Sequence, residues 1–386
     1  MSRPDYQGGS IVNLMASLIL GLGGAAYGYA PLRLLEPGRL QQYRTIVLLV
    51  VDGLGHELLS RAAAGSALRA RLQGRITSVF PATTATAITT FLTGLAPQQH
   101  GLTGWHTWFR ELGCVLKVLP TRPRYGGASL SEAGIDATHL FGHVPVFDRL
   151  SVHSHMIAPR HIAHSDFNHA HRGRAELSDY QTLEQMFELL AGAVRTSGAR
   201  SYVYAYWPDL DRISHEYGNS SDEAQAHLAE LDAGFARFLD RIAGSDCLVI
   251  VTADHGSIDT EPARTIDLDQ HPGLAERLVL PLCGEPRVAY CYVQPGQQRD
   301  FERYVREELA ASAALWPSRE LIARNYFGIG ARHPRLQQRV GDYTLIMKDN
   351  YVIKDWLSGE SRYVQVGVHG GLSEQELYVP LVVAAC

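Results

Sequence analysis

Three apolar runs followed closely by acidic residues constrain this chain more than any other feature of its sequence. The runs are Thr45–Val51, Ser201–Tyr206 and Cys247–Thr252, and their composition is typical of strands buried on both faces of a parallel sheet. Asp52 follows the first run and Asp254 comes just after the third. Segments with helical spacing separate the runs, so the pattern predicts an α/β fold with a doubly wound, mainly parallel sheet. Active sites of open α/β sheets lie at the carboxyl ends of the strands, where these acidic residues are expected to meet.

The connecting segments complete this prediction. Helices are expected at residues 56–72 and 222–243, the second capped by Ser220 or Ser221. A closing strand is expected at 377–384, where Pro380 favours a sheet edge or an irregularity.

Composition excludes several classes of protein. The 386 residues are 46% apolar with a formal net charge of −5, which excludes a disordered chain and argues against a basic nucleic-acid-binding face. We therefore expect no nucleic-acid polymer as partner. The five cysteines form no CxxC motif, so a disulfide scaffold is not expected. Seventeen histidines direct attention to metal chemistry.

The amino-terminal apolar stretch is predicted to be a buried helix at Ile11–Leu22. Its alternative is a signal or anchor, but Arg3 and Asp5 leave little net positive charge ahead of it. We therefore expect no membrane span and a cytoplasmic location, with export as the alternative.

Carboxylates and imidazoles recur at the predicted strand ends and in one late loop. Asp211 and His215 are four residues apart, so a helical turn would place both on one face. Mixed Asp/His ligation suits catalytic zinc or a similar divalent ion. The predicted metal set is Asp52, Asp211, His215, Asp254, His255 and His369.

A candidate nucleophile lies in the threonine-rich segment after Phe80-Pro81. Thr83 and Thr84 precede a helix-like stretch, and a hydroxyl there sees the positive end of the helix dipole. The alternative is a turn in which these hydroxyls only cap the helix.

In order and spacing, these motifs resemble the type I phosphodiesterase/nucleotide pyrophosphatase family of the alkaline phosphatase superfamily. The resemblance implies an alkaline-phosphatase-like fold and a phosphoric ester hydrolase acting through a phosphothreonine at Thr84, with Thr83 as the fallback. It also implies two divalent metal ions, most simply Zn²⁺, and a small-molecule phosphoester substrate. One ion would be held by Asp211, His215 and His369, with Asp211 preferred over Asp209. The other would be held by Asp52, Asp254, His255 and the oxygen of Thr84.

One position departs from the family pattern. Nucleotide-cleaving relatives have an Asn about five residues after the histidine of the His-Gly motif, whereas this chain has Trp105 followed by His106. Either residue could replace the missing donor to phosphate or only shape the substrate pocket. The resemblance implies a phosphodiesterase or nucleotide pyrophosphatase. The alternatives on the same metal core are a phosphomonoesterase, a phosphonate hydrolase and a phosphomutase-like isomerase, and a non-enzymatic metal-binding scaffold is a further one.

The remaining sequence predicts a small inserted cap. We expect a catalytic core at 1–261 and 363–386 and an α/β cap at 262–362, with strands at 287–293 and 342–348 and helices at 300–314 and 318–326. Arg160 and Arg287 are candidate substrate contacts. The histidine-rich segment 151–175 is expected to consist mostly of solvated or packed loop side chains, with a third metal site or a phosphate-recognising lid as alternatives.

Overall fold

The three predicted apolar runs are neighbouring strands of one sheet in the computed structural model, which describes residues 2–196 and 198–386. The run at 45–51 pairs in parallel with the runs at 201–207 and 247–252, and every residue of these strands is buried. The sheet has seven strands and is mainly parallel, which confirms the predicted fold class. Its strands, in spatial order, are β2 (Leu72–Thr77), β18 (Tyr378–Ala385), β9 (Cys247–Thr252), β1 (Thr45–Val51), β8 (Ser201–Trp207), β6 (His153–Pro159) and β7 (Glu176–Tyr180).

The closing strand β18 runs antiparallel to β2 and β9. It lies second from the edge, and its pairing with β2 shifts register between Leu381 and Val382, just after Pro380. The irregularity predicted from Pro380 is therefore present, although the strand is not at the edge.

Helices cover this sheet and connect the strands. Among them, α10 (Leu183–Thr196) packs against α12 (Asp222–Arg241) and against the strands β6, β7 and β8, while α1 (Ile11–Gly21) packs against α4 (Thr84–Thr93). The helices in chain order are α1 (Ile11–Gly21), α2 (Pro37–Leu40), α3 (His56–Ser60), α4 (Thr84–Thr93), α5 (Pro97–His100), α6 (Ala137–Phe141), α7 (Val146–Arg149), α8 (Arg160–Ala163), α9 (Asp166–Arg172), α10 (Leu183–Thr196), α11 (Asp209–Tyr217), α12 (Asp222–Arg241), α13 (Pro272–Ala275), α14 (Gln298–Glu308), α15 (Ser318–Ala323), α16 (Leu336–Arg339) and α17 (Glu374–Leu377).

The amino-terminal apolar stretch forms the buried helix α1, as predicted. Its polar residues have partners inside the protein: the Asn13 amide donates to the carbonyls of Tyr6 and Ala30, and Ser17 Oγ accepts from the backbone of Leu32. In the part of the chain that the structure describes, none of the helices combines the length and the apolar character needed to cross a membrane.

A second seven-stranded sheet lies beside the first and is antiparallel throughout. In spatial order its strands are β14 (Ala313–Pro317), β15 (Tyr343–Met347), β13 (Val288–Cys291), β12 (Cys283–Glu285), β3 (His106–Phe109), β4 (Cys114–Lys117) and β5 (Arg122–Pro123). Two short pairs complete the strands, β10 (Ile258–Asp259) with β17 (Gly367–Val368) and β11 (Thr265–Asp267) with β16 (Val352–Lys354).

The second sheet extends beyond the cap predicted at 262–362. Three of its strands come from residues 106–123, because the pairing of Gly284 with His106 joins the early hairpin to the late strands. The domain boundaries themselves remain a prediction, but this sheet is not built from the inserted segment alone.

The helices expected at 222–243 and 318–326 end at Arg241 and Ala323, close to their predicted ends. Two other predicted helices are much shorter in the structure. The helix expected at 56–72 ends at Ser60, because the Asp232 carboxylate of α12 accepts from the backbone of Ala67 and Leu68 and holds that segment in turns. The helix expected at 300–314 ends at Glu308, because Ala313 already pairs with β15.

Candidate metal centre and active site

The carboxyl ends of three adjacent strands bring the predicted acidic residues together. Asp52 follows β1, Asp254 lies two residues after β9, and Asp211 lies in the first turn of α11 after β8. Because β1 lies between β9 and β8, these carboxylates converge at one edge of the sheet. All three residues are buried.

Two overlapping groups among the described residues could hold metal ions. Asp52, Asp254 and His255 form one, while Asp211, His255 and His369 form the other, and the ligand atoms in each lie within 4.8 Å of one another. The first group matches the predicted set for one ion. In the second, His255 stands where His215 was predicted, and His215 instead places Nε2 3.0 Å from Oδ2 of Asp211. The division of ligands between the two ions therefore remains a prediction.

Backbone carbonyl groups orient the rings of His255 and His215. His255 Nδ1 lies 3.0 Å from the carbonyl of Gly256, and His215 Nδ1 lies 2.7 Å from that of Gly367. If Nδ1 of His255 donates its hydrogen there, Nε2 of His255 is left with a lone pair toward the carboxylates of Asp52 and Asp254. Such carbonyl contacts commonly orient metal-binding histidines.

His369 reaches the site through a short antiparallel pair of strands. Strand β17, just before it, pairs with β10, which follows His255. The rings of His369 and His255 stack with centroids 3.7 Å apart. This pairing brings together residues that are far apart in sequence.

Gly53 allows the close approach of the acidic residues. Its φ is +74°, and an added Cβ would lie 2.9 Å from Cβ of Asp211. Its N–H donates to Oδ1 of Asp254 at 3.2 Å. A side chain at this position would therefore displace Asp211.

Four buried polar atoms of the site have no hydrogen-bond partner within the described protein. They are Oδ1 of Asp52, Oδ1 of Asp211, Oδ2 of Asp254 and Nδ1 of His369. Buried polar atoms without partners are rare and costly. Carboxylate oxygens and imidazole nitrogens are also atoms that coordinate zinc in proteins. The residues present therefore fit divalent metal ions.

Burial and mutual repulsion perturb the titration of this cluster. Burial, reinforced by Asp254 and Asp211, raises the pKa of Asp52 well above its usual range, and burial also raises the pKa of Asp254. For Asp211, burial acts in the same direction, but His215 holds the pKa below its usual value. Burial acts to lower the pKa of His215, yet Asp211 raises it to about 9. Excess negative charge of this kind favours a bound cation.

Thr83 and Thr84 have different partners. Thr84 begins α4 and places its Oγ1 3.1 Å from Nε2 of His255, within reach of the metal-binding groups. Thr83 Oγ1 donates instead to Oε1 of Glu285 at 2.7 Å. The geometry therefore favours Thr84 over Thr83 as the hydroxyl that faces the candidate metal-binding groups.

A cleft of about 1280 Å³ opens onto this centre between the two sheets. Asp52, Thr84 and Asp211 line its wall on the side of the first sheet. The predicted substrate residues Trp105 and His106 line it together with Glu285 of the second sheet. The cleft is thus large enough for a substrate with groups on both sides of a phosphorus atom.

The structure does not bring the two predicted arginines to this cleft. Arg287 is 1% exposed, and its guanidinium forms an ion pair with Glu376 inside the protein. The guanidinium is therefore not available to contact a substrate. Arg160 is exposed and pairs with Asp179. Neither residue is part of the cleft lining.

The histidine-rich segment forms β6, α8 and α9 rather than one loop. His161 and His164 line the cleft, whereas His171 is buried against His143. Neither of the metal-binding groups found among the described residues includes a histidine of this segment.

Tyr206 and Glu285 also contact predicted residues of this site, although neither was predicted from the sequence. Tyr206 donates its hydroxyl hydrogen to Oδ2 of Asp52, and its place at the carboxyl end of β8 was a usable signal. Glu285 carried no comparable signal, because its contacts with residues near 83 and 105 arise only when the two sheets meet.

One known protein family matches most of this chain. Residues 46–372 match the type I phosphodiesterase/nucleotide pyrophosphatase family. A search of curated proteins finds no significant match.

Solved structures share the fold across most of the chain. The murine ectonucleotide pyrophosphatase/phosphodiesterase 5 is 17% identical, with a TM-score of 0.66 over 87% of each chain. The human form is 15% identical, with a TM-score of 0.66 over 88% of this chain and 87% of that one. The phosphonoacetate hydrolase of Sinorhizobium meliloti is 16% identical, with a TM-score of 0.64 over 89% of this chain and 90% of that one. At such identities the likeness is one of fold.

The family match over most of the chain identifies a phosphoester hydrolase of the alkaline phosphatase superfamily. Within it, the chain belongs to the type I phosphodiesterase/nucleotide pyrophosphatase family.

Proposed function

We propose that this protein is a metal-dependent phosphodiesterase that acts through a covalent phosphothreonine at Thr84. The observation that carries the proposal is the position of Thr84 Oγ1, 3.1 Å from Nε2 of His255 and at the start of a ten-residue helix. Asp52 and Asp254 converge on the same histidine. A hydroxyl nucleophile is activated by an adjacent base or by a bound metal ion, and the residues around Thr84 could supply either.

The metal-binding residues have a defined part in this proposal. Asp52, Asp254 and His255 would hold one divalent ion, while Asp211, His215 and His369 would hold the other, and we propose Zn²⁺ because carboxylate–imidazole sets suit it. Bound ions would lower the pKa of the Thr84 hydroxyl and neutralise charge on the phosphoryl oxygens.

The chain's own residues then account for the two steps. In the first step the Thr84 hydroxyl loses its proton to solvent and Oγ1 forms a bond to phosphorus, while the bond to the leaving oxygen breaks on the opposite side and that oxygen takes up a proton from solvent. In the second step water attacks phosphorus and the Oγ1–phosphorus bond breaks. One hydrogen of the water restores the Thr84 hydroxyl and the other stays with the phosphate product or passes to solvent. The helix dipole of α4 favours the anionic phosphoryl group throughout.

We propose a small phosphodiester as the substrate class. A diester carries one negative charge fewer than a monoester, and near Thr84 the small apolar residues Ala82, Ala85 and Ala87 supply no additional positive charge. One structural neighbour was solved in complex with AMP, and another in complex with phosphonoacetate. A phosphonate hydrolase is therefore the second candidate, favoured by Trp105 at the place of the family's Asn.

The test compares kcat/KM for bis-p-nitrophenyl phosphate, p-nitrophenyl phosphate and phosphonoacetate at one pH and one zinc concentration. We expect the diester to be preferred, chelation to abolish turnover, and zinc to restore it. Thr84→Ala should lower kcat by several orders of magnitude, because it removes the nucleophile.

Different outcomes overturn different parts of the proposal. Full activity in protein shown to be metal-free ends the metal mechanism, and full activity of Thr84→Ala ends the phosphothreonine. A clear preference for the monoester or the phosphonate overturns the diesterase assignment.

A further inference from the structure

Glu285 lies where the second sheet meets the helix that carries Thr84. It is the last residue of β12, it is 8% exposed, and it lines the cleft. It comes from a segment about two hundred residues away from Thr84, so the contact joins distant parts of the chain.

One carboxylate oxygen of Glu285 holds two separate segments. Oε1 accepts from Thr83 Oγ1 at 2.7 Å and from the backbone N–H of Trp105 at 2.6 Å. Thr83 is the residue immediately before α4 and Trp105 immediately precedes β3. Glu285 therefore links the start of the nucleophile helix to the opposite wall of the cleft.

The bond to Glu285 also determines what Thr83 does. A threonine before a helix commonly accepts from the backbone N–H groups of the first turn. Here the Thr83 side chain makes no such capping bond to α4, because its hydroxyl is directed to Glu285. Thr83 is thus anchored to the second sheet rather than to its own helix.

Close backbone packing makes this link rigid on the side of Trp105. An added Cβ on Gly104 would lie 2.7 Å from Cα of Gly284, and His106 pairs with Gly284 across the strands. The loop before β3 therefore rests directly on β12, and Glu285 extends that contact to Thr83.

We propose that Glu285 is a positioning residue that acts through Thr83 and Trp105 to hold Thr84 in its attacking position. The proposal rests on the proposed role of Thr84 as nucleophile. It requires only that residue 285 accept hydrogen bonds, since both of its partners are donors. Misplacing a reacting group by about 1 Å can lower the rate about 10²-fold.

The decisive comparison is between Glu285→Ala and Glu285→Gln, with bis-p-nitrophenyl phosphate as substrate. We expect Glu285→Ala to lower kcat about 10- to 100-fold with KM changed less than about threefold, because the loss affects the attack rather than the binding. Glu285→Gln keeps an acceptor oxygen and should remain within about threefold of the wild type. Glu302→Ala is the matched control, because Glu302 accepts from the Tyr343 hydroxyl at 2.7 Å and is not part of this cleft lining.

A double-mutant cycle tests whether Glu285 acts through Thr83. Thr83→Val should lower kcat, Thr83→Ser should restore it, and Thr83→Val should add little to Glu285→Ala, because groups acting as a unit are not additive. Fully additive losses overturn the proposal. A kcat for Glu285→Ala within threefold of the wild type, or equal losses in Glu285→Ala and Glu285→Gln, also overturns it.

Hydrogen exchange separates this proposal from the proposed function. The Trp105 amide should exchange faster in Glu285→Ala than in the wild type or Glu285→Gln, whether or not the protein cleaves the diester. Unchanged exchange contradicts the link itself. Absence of diesterase activity in zinc-loaded wild type, with faster exchange in Glu285→Ala, would reject the proposed reaction and, with it, the catalytic role of the link.

Discussion

Buried charges have two different environments in this protein. The Asp52, Asp211 and Asp254 carboxylates each have an oxygen without a protein hydrogen-bond partner. Glu376, in contrast, accepts from Arg287 Nε and Nη2 at 3.0 Å each, and from the backbone of Gly371 at 2.7 Å. The three aspartates are therefore suited to binding a cation, whereas the charge of Glu376 is already neutralised by Arg287.

The pair Arg287–Glu376 therefore predicts a loss of stability without a loss of catalytic chemistry. Arg287→Met should lower the free energy of unfolding by about 3–5 kcal/mol, because it leaves the Glu376 carboxylate buried without its counter-charge. Urea unfolding measures this change, while kcat/KM well below the unfolding transition should stay within a few-fold of the wild type.

Arg303→Met is the control for this prediction. Arg303 pairs with Asp300 on an exposed helical surface, and exposed pairs contribute little. A large fall in kcat/KM for Arg287→Met at unchanged stability would support the original prediction of substrate contact instead.

At the scale of single elements, side-chain bonds at helix ends decide where helices begin. Ser221 Oγ accepts from the backbone N–H of Ala224 at 3.1 Å, so Ser221 rather than Ser220 caps the 20-residue helix α12. The same helix carries Asp232, which bonds the segment after α3. A side chain of α12 thus holds the residues after α3 in a non-helical conformation.

Ser221→Ala should lower the free energy of unfolding by about 1 kcal/mol, because the Ala224 N–H loses its acceptor. Urea unfolding of Ser221→Ala and of Ser220→Ala, a neighbour just outside the helix, makes the comparison. Equal effects of the two substitutions would contradict the assignment of the cap.

At the scale of the whole molecule, three buried histidines join segments that are distant in sequence. His143 Nδ1 lies 3.2 Å from His171 Nε2, and His143 Nε2 lies 2.8 Å from the carbonyl of His100. All three residues are buried, and burial lowers their pKa values, that of His171 to about 4. Their contacts connect α5, α9 and the segment between α6 and α7.

This cluster predicts a loss of stability in acid. Between pH values of about 6.5 and 4 the unfolded chain protonates at His171 while the folded protein does not, so the free energy of unfolding falls as the pH falls. The His171 contribution is about 2 kcal/mol by pH 5, at about 1.4 kcal/mol per pH unit.

Urea unfolding at pH 7 and pH 5 provides the measurement. His171→Phe should show a smaller difference between the two pH values than the wild type, since it removes the titrating group. His169→Phe, on the exposed side of the same helix, should keep the wild-type difference. The same pH dependence in His171→Phe and in the wild type would contradict this account.

Local sequence was sufficient for the central sheet and for the set of metal-binding candidates. Apolar runs such as Thr45–Val51 specify strands through composition, and the carboxyl ends of parallel strands meet at one edge whatever the intervening sequence is. The sequence alone therefore predicts that Asp52 and Asp254 lie close together. The helix spacing of Asp211 and His215 likewise follows from local geometry.

Tertiary structure alone decided the choices that depend on distant partners. Glu285 engages Thr83 and leaves Thr84 facing His255, Glu376 neutralises Arg287 away from the cleft, and the strands at 106–123 join the second sheet. Residues two hundred positions apart leave no periodic signal in the sequence. Their contacts exist because burial forces each polar group in the folded protein to find a partner.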